Sequence, residues 1–458
     1  MKLRFALCAL ALATPCLRAA ATAAPATAPG FTFVKSVGAI SEYRLDANGL
    51  TVLLMPDHSA PVLTFMVTYR VGSRNEVTGT TGATHLLEHL MFKGSEKFNA
   101  GNGKKIDQIL DPIGATNNAT TWLDRTNYFE TFGSEHLPLI VELEADRMRH
   151  LLLRESDRAP EMTVVRNEYE RGENSPINAL EKELFAAAFL AHPYHHPTIG
   201  WRSDFEKVPI EKLREFYDTF YWPDNATITI VGDFAPATAL GLVKKFYGVI
   251  PRAPKPIPQL YTVEPEQSGP RRVTVKRAGQ LGVVALAHKI PPGTDPDYPA
   301  LAVLGSVLGD GKNSRLYKAL TDPGLSTGVS AGPQFNHDAT LFLTFVPLAP
   351  GTKHEEAEKT ALAEIEKLKK DGVTDKEVAT AAAKFLADSA FQRDGTYAVA
   401  GNLNECIAAG DWTLYYAVDE AVKKVTPADV QRVAKKYLTE EHSTTGWFIP
   451  VVPADEKP

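Results

Sequence analysis

The stretch that decides the fold is Ala83-Thr84-His85-Leu86-Leu87-Glu88-His89-Leu90-Met91-Phe92-Lys93-Gly94. Leu86, Leu87, Leu90 and Met91 recur at helical spacing, and neither Pro nor Gly interrupts the run from His85 to Lys93. The pattern predicts a helix, on which residues three and four apart share a face. His85, Glu88 and His89 therefore point the same way. Two imidazoles one turn apart can close on a single divalent metal, and the carboxylate between them can take a proton from a water on that metal. The order His-x-x-Glu-His reverses the His-Glu-x-x-His of other zinc-binding helices. A solvated helix face could carry the same letters without a metal, but apolar flanks argue for burial, and buried His and Glu need partners.

The rest of the chain bounds what this helix can serve. With 458 residues, 44% apolar and 23% charged, the chain is globular and long enough for two or more cores. A net charge of −6 argues against a general binder of nucleic acid or anionic membrane. Met1-Lys2-Leu3-Arg4 forms a basic start, Phe5 to Ala13 an apolar segment too short to span a bilayer, and Arg18 to Ala28 is Ala-rich with several A-x-A cleavage options. Residues 1–28 thus read as a secretory signal and flexible start, with a membrane anchor as the alternative, and a periplasmic or secreted location follows. Ala13-Thr14-Pro15 before Cys16 is a poor context for lipid attachment. Signal removal takes Cys8 and Cys16 and leaves Cys406 alone, so no internal disulfide is available to the mature chain.

Outward from the helix, residues 31–250 read as one domain. Three strands are expected from Tyr43 to Val71, with Asn48-Gly49 marking a hairpin. Ala115 to Phe132 reads as a second hairpin, and Leu137 to Leu153 as an amphipathic helix. Pro160 is expected to open a further helix, with Glu161 and Glu168 on one face, Val164 and Val165 packing beside them, and Glu170 and Glu173 solvated. His192-Pro193-Tyr194-His195-His196-Pro197 holds several His, but its prolines favour a turn over a metal tract. Pro251, Pro254, Pro256, Pro258, Pro265 and Pro270 mark 251–270 as an extended linker. Residues 271–455 then repeat the order of elements, which points to a duplicated domain. Helix Tyr298 to Leu308 carries no His or Glu, so the second copy is degenerate. Gly309 to Ser314 lacks the spacing of a phosphate-binding loop.

With His85-x-x-Glu88-His89 and an acidic helix downstream, the chain resembles the pitrilysin-like inverzincin metallopeptidases, which include mitochondrial processing peptidase and insulin-degrading enzyme. Further motifs in order carry the resemblance: Asn118-Ala119-x-Thr121, Leu143-x-Ala145-Asp146-Arg147, Glu161-x-x-Val164-Val165-x-x-Glu168, His192-Pro193-Tyr194, and Asn225-Ala226-Thr227 before Gly232-Asp233. The resemblance implies an α+β fold of two duplicated domains, each a mostly antiparallel sheet packed with helices, together half of a clam-shell. It implies one zinc per chain on His85, His89 and Glu168, Glu88 as the base, and Glu161 as a supporting acid near the metal. Asn118 and Ala119 would pair with substrate backbone on an edge strand. The expected activity is zinc-dependent hydrolysis of peptides or small unfolded polypeptides.

One departure shapes the expected assembly. Active members carry an Arg and a Tyr seven residues apart in the second domain, after a Ser-Arg-Leu segment. Here Ser314-Arg315-Leu316 is present, but the aligned positions hold Thr321 and Thr327, and Arg315 and Tyr317 are too close together to be that pair. The chain is therefore expected to be the catalytic subunit of a heterodimer whose paralogous partner carries the Arg/Tyr pair. A homodimer is the alternative. A non-catalytic scaffold or a peptide-binding subunit of the same fold is the competing function.

Overall fold

The computed structural model describes residues 28–451. The signal-like start, with Cys8 and Cys16, lies outside the described residues but for Ala28. The first sheet is built from β1 (Phe31–Val37), β2 (Ile40–Leu45), β3 (Thr51–Pro56), β4 (Val62–Tyr69), β5 (Thr116–Thr121), β6 (Thr126–Gly133) and β7 (Ala226–Gly232), in the order β1-β2-β3-β7-β4-β6-β5. Only β3 and β7 run parallel; every other neighbouring pair is antiparallel. The second sheet comprises β8 (Arg271–Ala278), β9 (Val283–Ile290), β10 (Ser330–Pro333), β11 (Thr340–Pro347) and β12 (Ser443–Val451), ordered β10-β11-β9-β12-β8. Here β8 and β12 are the parallel pair. Strand for strand, β8 to β12 repeat β3 to β7, so the duplication read from element order extends to pairing and direction. The first sheet adds the hairpin β1–β2. Residues 251–270 between the two units hold no helix or strand.

Packing explains why the central strands lack a clean polar alternation. Along β4, Leu63, Phe65, Val67 and Tyr69 enter one core, while Met66 on the other face joins a second. A strand covered by helices on both faces must be apolar on both. The cover is reciprocal. Helix Pro176–Ala188, which follows the acidic helix of the first unit, sets Ala179, Leu180, Leu184 and Ala188 against β8, β9, β11 and β12 of the second sheet. Helix Thr396–Ala409 of the second unit sets Val399, Ala400, Leu403 and Ile407 against β2, β3, β4, β6 and β7 of the first. Leu180 and Leu184 are fully buried, and each such side chain contributes about 1.5–3 kcal/mol by leaving water. The two units therefore hold each other through exchanged helices.

Local expectations fare unevenly. The acidic helix runs Glu155–Glu173 with Pro160 inside it, rather than beginning at Pro160. Pro160 is only the sixth residue, so its missing N–H removes a single bond, to the Ser156 carbonyl, while Glu155 and Asp157 favour the first turn. Val165 is fully buried but Val164 is 42% exposed, so only the former packs beside the glutamates. Glu173 is not simply solvated: it accepts from Lys182 at 2.5 Å and also bonds Arg277. Strand β1, at the sheet edge with its side chains almost all solvent-facing, is not among the expected strands.

Candidate metal centre

The first element of the site is helix Ala83–Leu90, whose Leu86 and Leu87 are fully buried and fix its rotation. Its N-terminus is capped from outside the helix. Glu76 side-chain oxygens accept from Gly82 N at 2.8 Å and Thr84 N at 2.7 Å, satisfying free donors at the helix start from a buried side chain. Gly82 has φ 84°, and a Cβ there would stand 2.4 Å from the Ile199 carbonyl, so only glycine fits.

Helix Glu155–Glu173 crosses this helix and brings Glu168 over the imidazoles. Glu168 Oε2 lies 3.6 Å from His85 Nε2 and 3.5 Å from His89 Nε2. The three donor atoms all lie within 4.8 Å of one another, the one such cluster among the described residues. Ligands at 2.0–2.1 Å in a tetrahedral array stand about 3.3 Å apart, so the cradle suits an ion of zinc's size. Burial, aided by the neighbouring His89, pushes the His85 imidazole down to about 3, which keeps a lone pair free at neutral pH. The donors are two imidazole nitrogens and one carboxylate oxygen, and a tetrahedral ion would keep a fourth position open.

The supporting shell is as specific. Glu161 Oε2 lies 3.1 Å from His89 Nδ1, which fixes the ring so that Nε2 faces Glu168. Lys93 Nζ pairs with the other Glu161 oxygen. Glu88, 9% exposed, accepts from Thr121 Oγ1 at 2.5 Å, and burial raises its pKa against the pull of that bond. Strand β5 is the edge of its sheet, so one side of its backbone is unpaired by other strands. Trp122 N donates to Arg125 O at 2.9 Å across the hairpin end, and ladder alternation from that pair turns the N–H and C=O of Thr121 and Ala119 outward. The Asn118 side chain already accepts from Ala119 N at 2.9 Å, in the position a peptide carbonyl would take. Beside the cradle lies a cavity of about 340 Å³ lined in part by His85, Glu168, Thr121, Trp122 and Tyr169.

All seven residues singled out in the sequence thus gather at one place: His85, His89 and Glu168 in the cradle, Glu88 and Glu161 against it, and Asn118 and Ala119 on the adjoining edge. The His-rich stretch does not join them. His192 Nε2 lies 3.0 Å from Asp338, and Pro193–His195 form a turn. Arg315 is committed to the scaffold, donating to Glu377 at 2.7 Å and to the Gly372 carbonyl at 2.9 Å. Sequence reasoning missed the Thr121 bond to Glu88 and the Lys93 bond to Glu161. Both join segments whose meeting has no local signature.

A helix-borne His-x-x-Glu-His facing a carboxylate from a second helix, on one of two duplicated sheet-and-helix units, defines the inverzincin class of metallohydrolase folds. Residues 51–201 match the family described as insulinase (peptidase family M16), and residues 207–385 match the peptidase M16 inactive domain. The chain is 33% identical over 412 residues to the zinc protease PqqE of Helicobacter pylori, covering 88% of this chain and 91% of that one. It is 24% identical over 426 residues to the β subunit of mitochondrial-processing peptidase of Lentinula edodes, covering 90% of each. A crystal structure of a protease from Helicobacter pylori superposes with a TM-score of 0.84 at 33% identity, over 88% of this chain and 98% of that one. The first half of the Escherichia coli periplasmic protease PqqL shares the fold, with a TM-score of 0.73 at 16% identity over 92% and 96% of the two chains. The chain belongs to the M16 peptidase family.

Proposed function

We propose that the chain is a zinc-dependent endopeptidase acting on peptides or small unfolded polypeptides, with one zinc held by His85, His89 and Glu168. The observation that carries this is the spacing of the three donor atoms, 3.5 and 3.6 Å from Glu168 Oε2 to the two ring nitrogens, beside a free strand edge. Bound zinc lowers the pKa of a water towards about 7 and polarises a carbonyl. The chain's own groups do the rest. Ala119, its backbone turned to the open edge, holds the peptide by β-augmentation beside the Asn118 side chain, a mode that reads backbone and tolerates varied side chains. Glu88, one oxygen held by Thr121, accepts the proton of the attacking water on the other and delivers it to the leaving nitrogen. Glu161 keeps the His89 ring turned to the metal. A structural zinc tends to be closed by four protein ligands, whereas three converge here. A scaffold role gives no reason for a complete donor set. The description "inactive domain" falls on 207–385, outside that set.

The direct test is metal removal. Dialysis against a chelator is expected to abolish cleavage of an unfolded polypeptide, and stoichiometric zinc to restore it; cleavage that survives with no bound metal would refute the proposal. Glu161→Gln should weaken zinc binding about 10- to 100-fold by freeing the His89 ring, read by competition with a chromophoric chelator.

We further propose that the working enzyme is a heterodimer in which a paralogue supplies the Arg/Tyr pair. Thr321 and Thr327 stand at the corresponding positions, and the nearby Arg315 is occupied by Glu377. Full cleavage by the purified single chain, unaltered when the paralogue is added, would overturn this; stimulation of at least tenfold is expected. The signal-like start supports a periplasmic or secreted location, and no helix of the described residues is long and apolar enough to cross a membrane.

A further inference from the structure

The second unit carries no metal cluster among its described residues, yet it reaches the strand on which the site depends. Arg125 follows the hairpin turn after β5 and folds back on it. Its Nη1 donates to the Thr120 carbonyl at 3.0 Å and to Thr120 Oγ1 at 2.6 Å. The other side of the guanidinium is held by Glu405, on helix Thr396–Ala409: Nη2 to Oε1 is 2.6 Å and Nε to Oε1 3.1 Å. Asn404 steadies that oxygen, donating to it at 3.0 Å while accepting from Thr68 Oγ1 of β4 at 2.8 Å. The Arg125 side chain is 10% exposed, so the pair is largely shielded from water on the arginine side. A charge-assisted fork of this kind fixes position as well as adding energy.

Thr120 is the residue between the two that matter most on the strand. On one side Ala119 turns its backbone to the open edge; on the other Thr121 holds Glu88. We infer that Glu405 is a positioning residue for the reaction, contributed by the unit without the metal cluster: through Arg125 it fixes Thr120, and with it both the register of the substrate-pairing edge and the orientation of the base. The inference rests on the peptidase proposal above and adds to it a mechanical role for the second unit. β6 pairs β5 along one side alone, so a side-chain strut at Thr120 adds to what the ladder fixes, and displacements on the ångström scale suffice to reduce rate.

The test uses the full zinc-loaded chain, with its partner if one is required. Glu405→Ala and Arg125→Ala should each lower kcat/KM about tenfold, with KM raised and kcat lowered together, at unchanged zinc content. Loss of stability alone would reduce the active fraction, lowering apparent kcat and leaving KM as it was, and that outcome overturns the inference. In the metal-free chain, Glu405→Ala should speed amide hydrogen exchange along β5; unchanged exchange overturns it too. Millimolar guanidinium should restore part of the activity of Arg125→Ala. If that variant does not fold, Glu405→Gln, which keeps an acceptor oxygen and loses the charge, is expected to show a smaller fall of about threefold, and parental kinetics from it would count against the strut. Glu88→Gln is run alongside: its inactivity with parental behaviour of the Glu405 variants refutes the strut alone, whereas activity of Glu88→Gln refutes the catalytic reading beneath it.

Discussion

Glu88→Gln is expected to lower kcat/KM by about 10³-fold while leaving the bound zinc in place, because a positioned general base contributes 10²–10⁴-fold. The substitution is nearly isosteric, and the amide oxygen can still accept from Thr121 Oγ1 at the 2.5 Å contact, so the local packing survives. Glu88 is not one of the three converging donors, and metal content should stay at one per chain. What the amide cannot do is take up a proton. A fall of 10³-fold corresponds to about 4 kcal/mol of transition-state stabilisation, far more than a lost hydrogen bond would remove. The check is paired: metal analysis of the purified variant and steady-state cleavage of a fluorogenic peptide. Activity within a few-fold of the parent, with metal bound, would remove Glu88 from the role of base. Loss of metal with loss of activity would assign it to the cradle instead.

Arg147→Leu is expected to destabilise the first unit by about 3–5 kcal/mol, the range for removing one partner of a buried ion pair. Arg147 lies deep in the core, its side chain 2% exposed, within reach of Glu144 and 3.3 Å from Glu130, themselves 0% and 1% exposed. Its guanidinium also stacks over Tyr128 at 4.6 Å and Phe92 at 5.2 Å. Two carboxylates share one cation. Burial, reinforced by the neighbouring Glu144, raises the Glu130 pKa well above the usual carboxylate range. Without Arg147 the two buried carboxyl groups have no countercharge in an apolar surround. Denaturant unfolding followed by circular dichroism measures the loss. Replacing Glu130, Glu144 and Arg147 together by apolar residues of similar volume should recover most of the loss, since it is the unpaired charge and not the missing salt link that destabilises. A single-variant loss below about 0.5 kcal/mol, the size of an ordinary surface change, would show that the core rearranges to wet the site.

Much of the site was legible because its letters are set by local geometry. The spacing of His85 and His89 follows from helical pitch, as does the two-turn separation of Glu161 and Glu168 on the second helix. The hairpin over Ala115 to Phe132 followed from strand patterning, and the duplicated order of elements from hydrophobic runs on either side of a proline-rich stretch. The errors have a common source. Pro160 misled because a proline early in a helix loses one bond at most, so its position marks the start only within a turn. Val164 and Val165 look alike in sequence, and only the neighbouring helix decides which of them is buried. Glu173 looked solvated because its partners, Lys182 and Arg277, come from another helix and from the other sheet.

By itself, then, the sequence determined the helix with its two histidines and intervening glutamate on one face, the acidic helix, the hairpin and the duplication, since each is a periodicity or a spacing within a few turns of chain. Tertiary structure alone decided that Glu168 meets the two rings, that Thr121 and Lys93 hold the flanking glutamates, that helices are exchanged between the units, and that Glu405 reaches β5 through Arg125. Those contacts join residues tens to hundreds of positions apart. Their geometry is fixed by how apolar faces pack together, which leaves no periodic trace in any one segment.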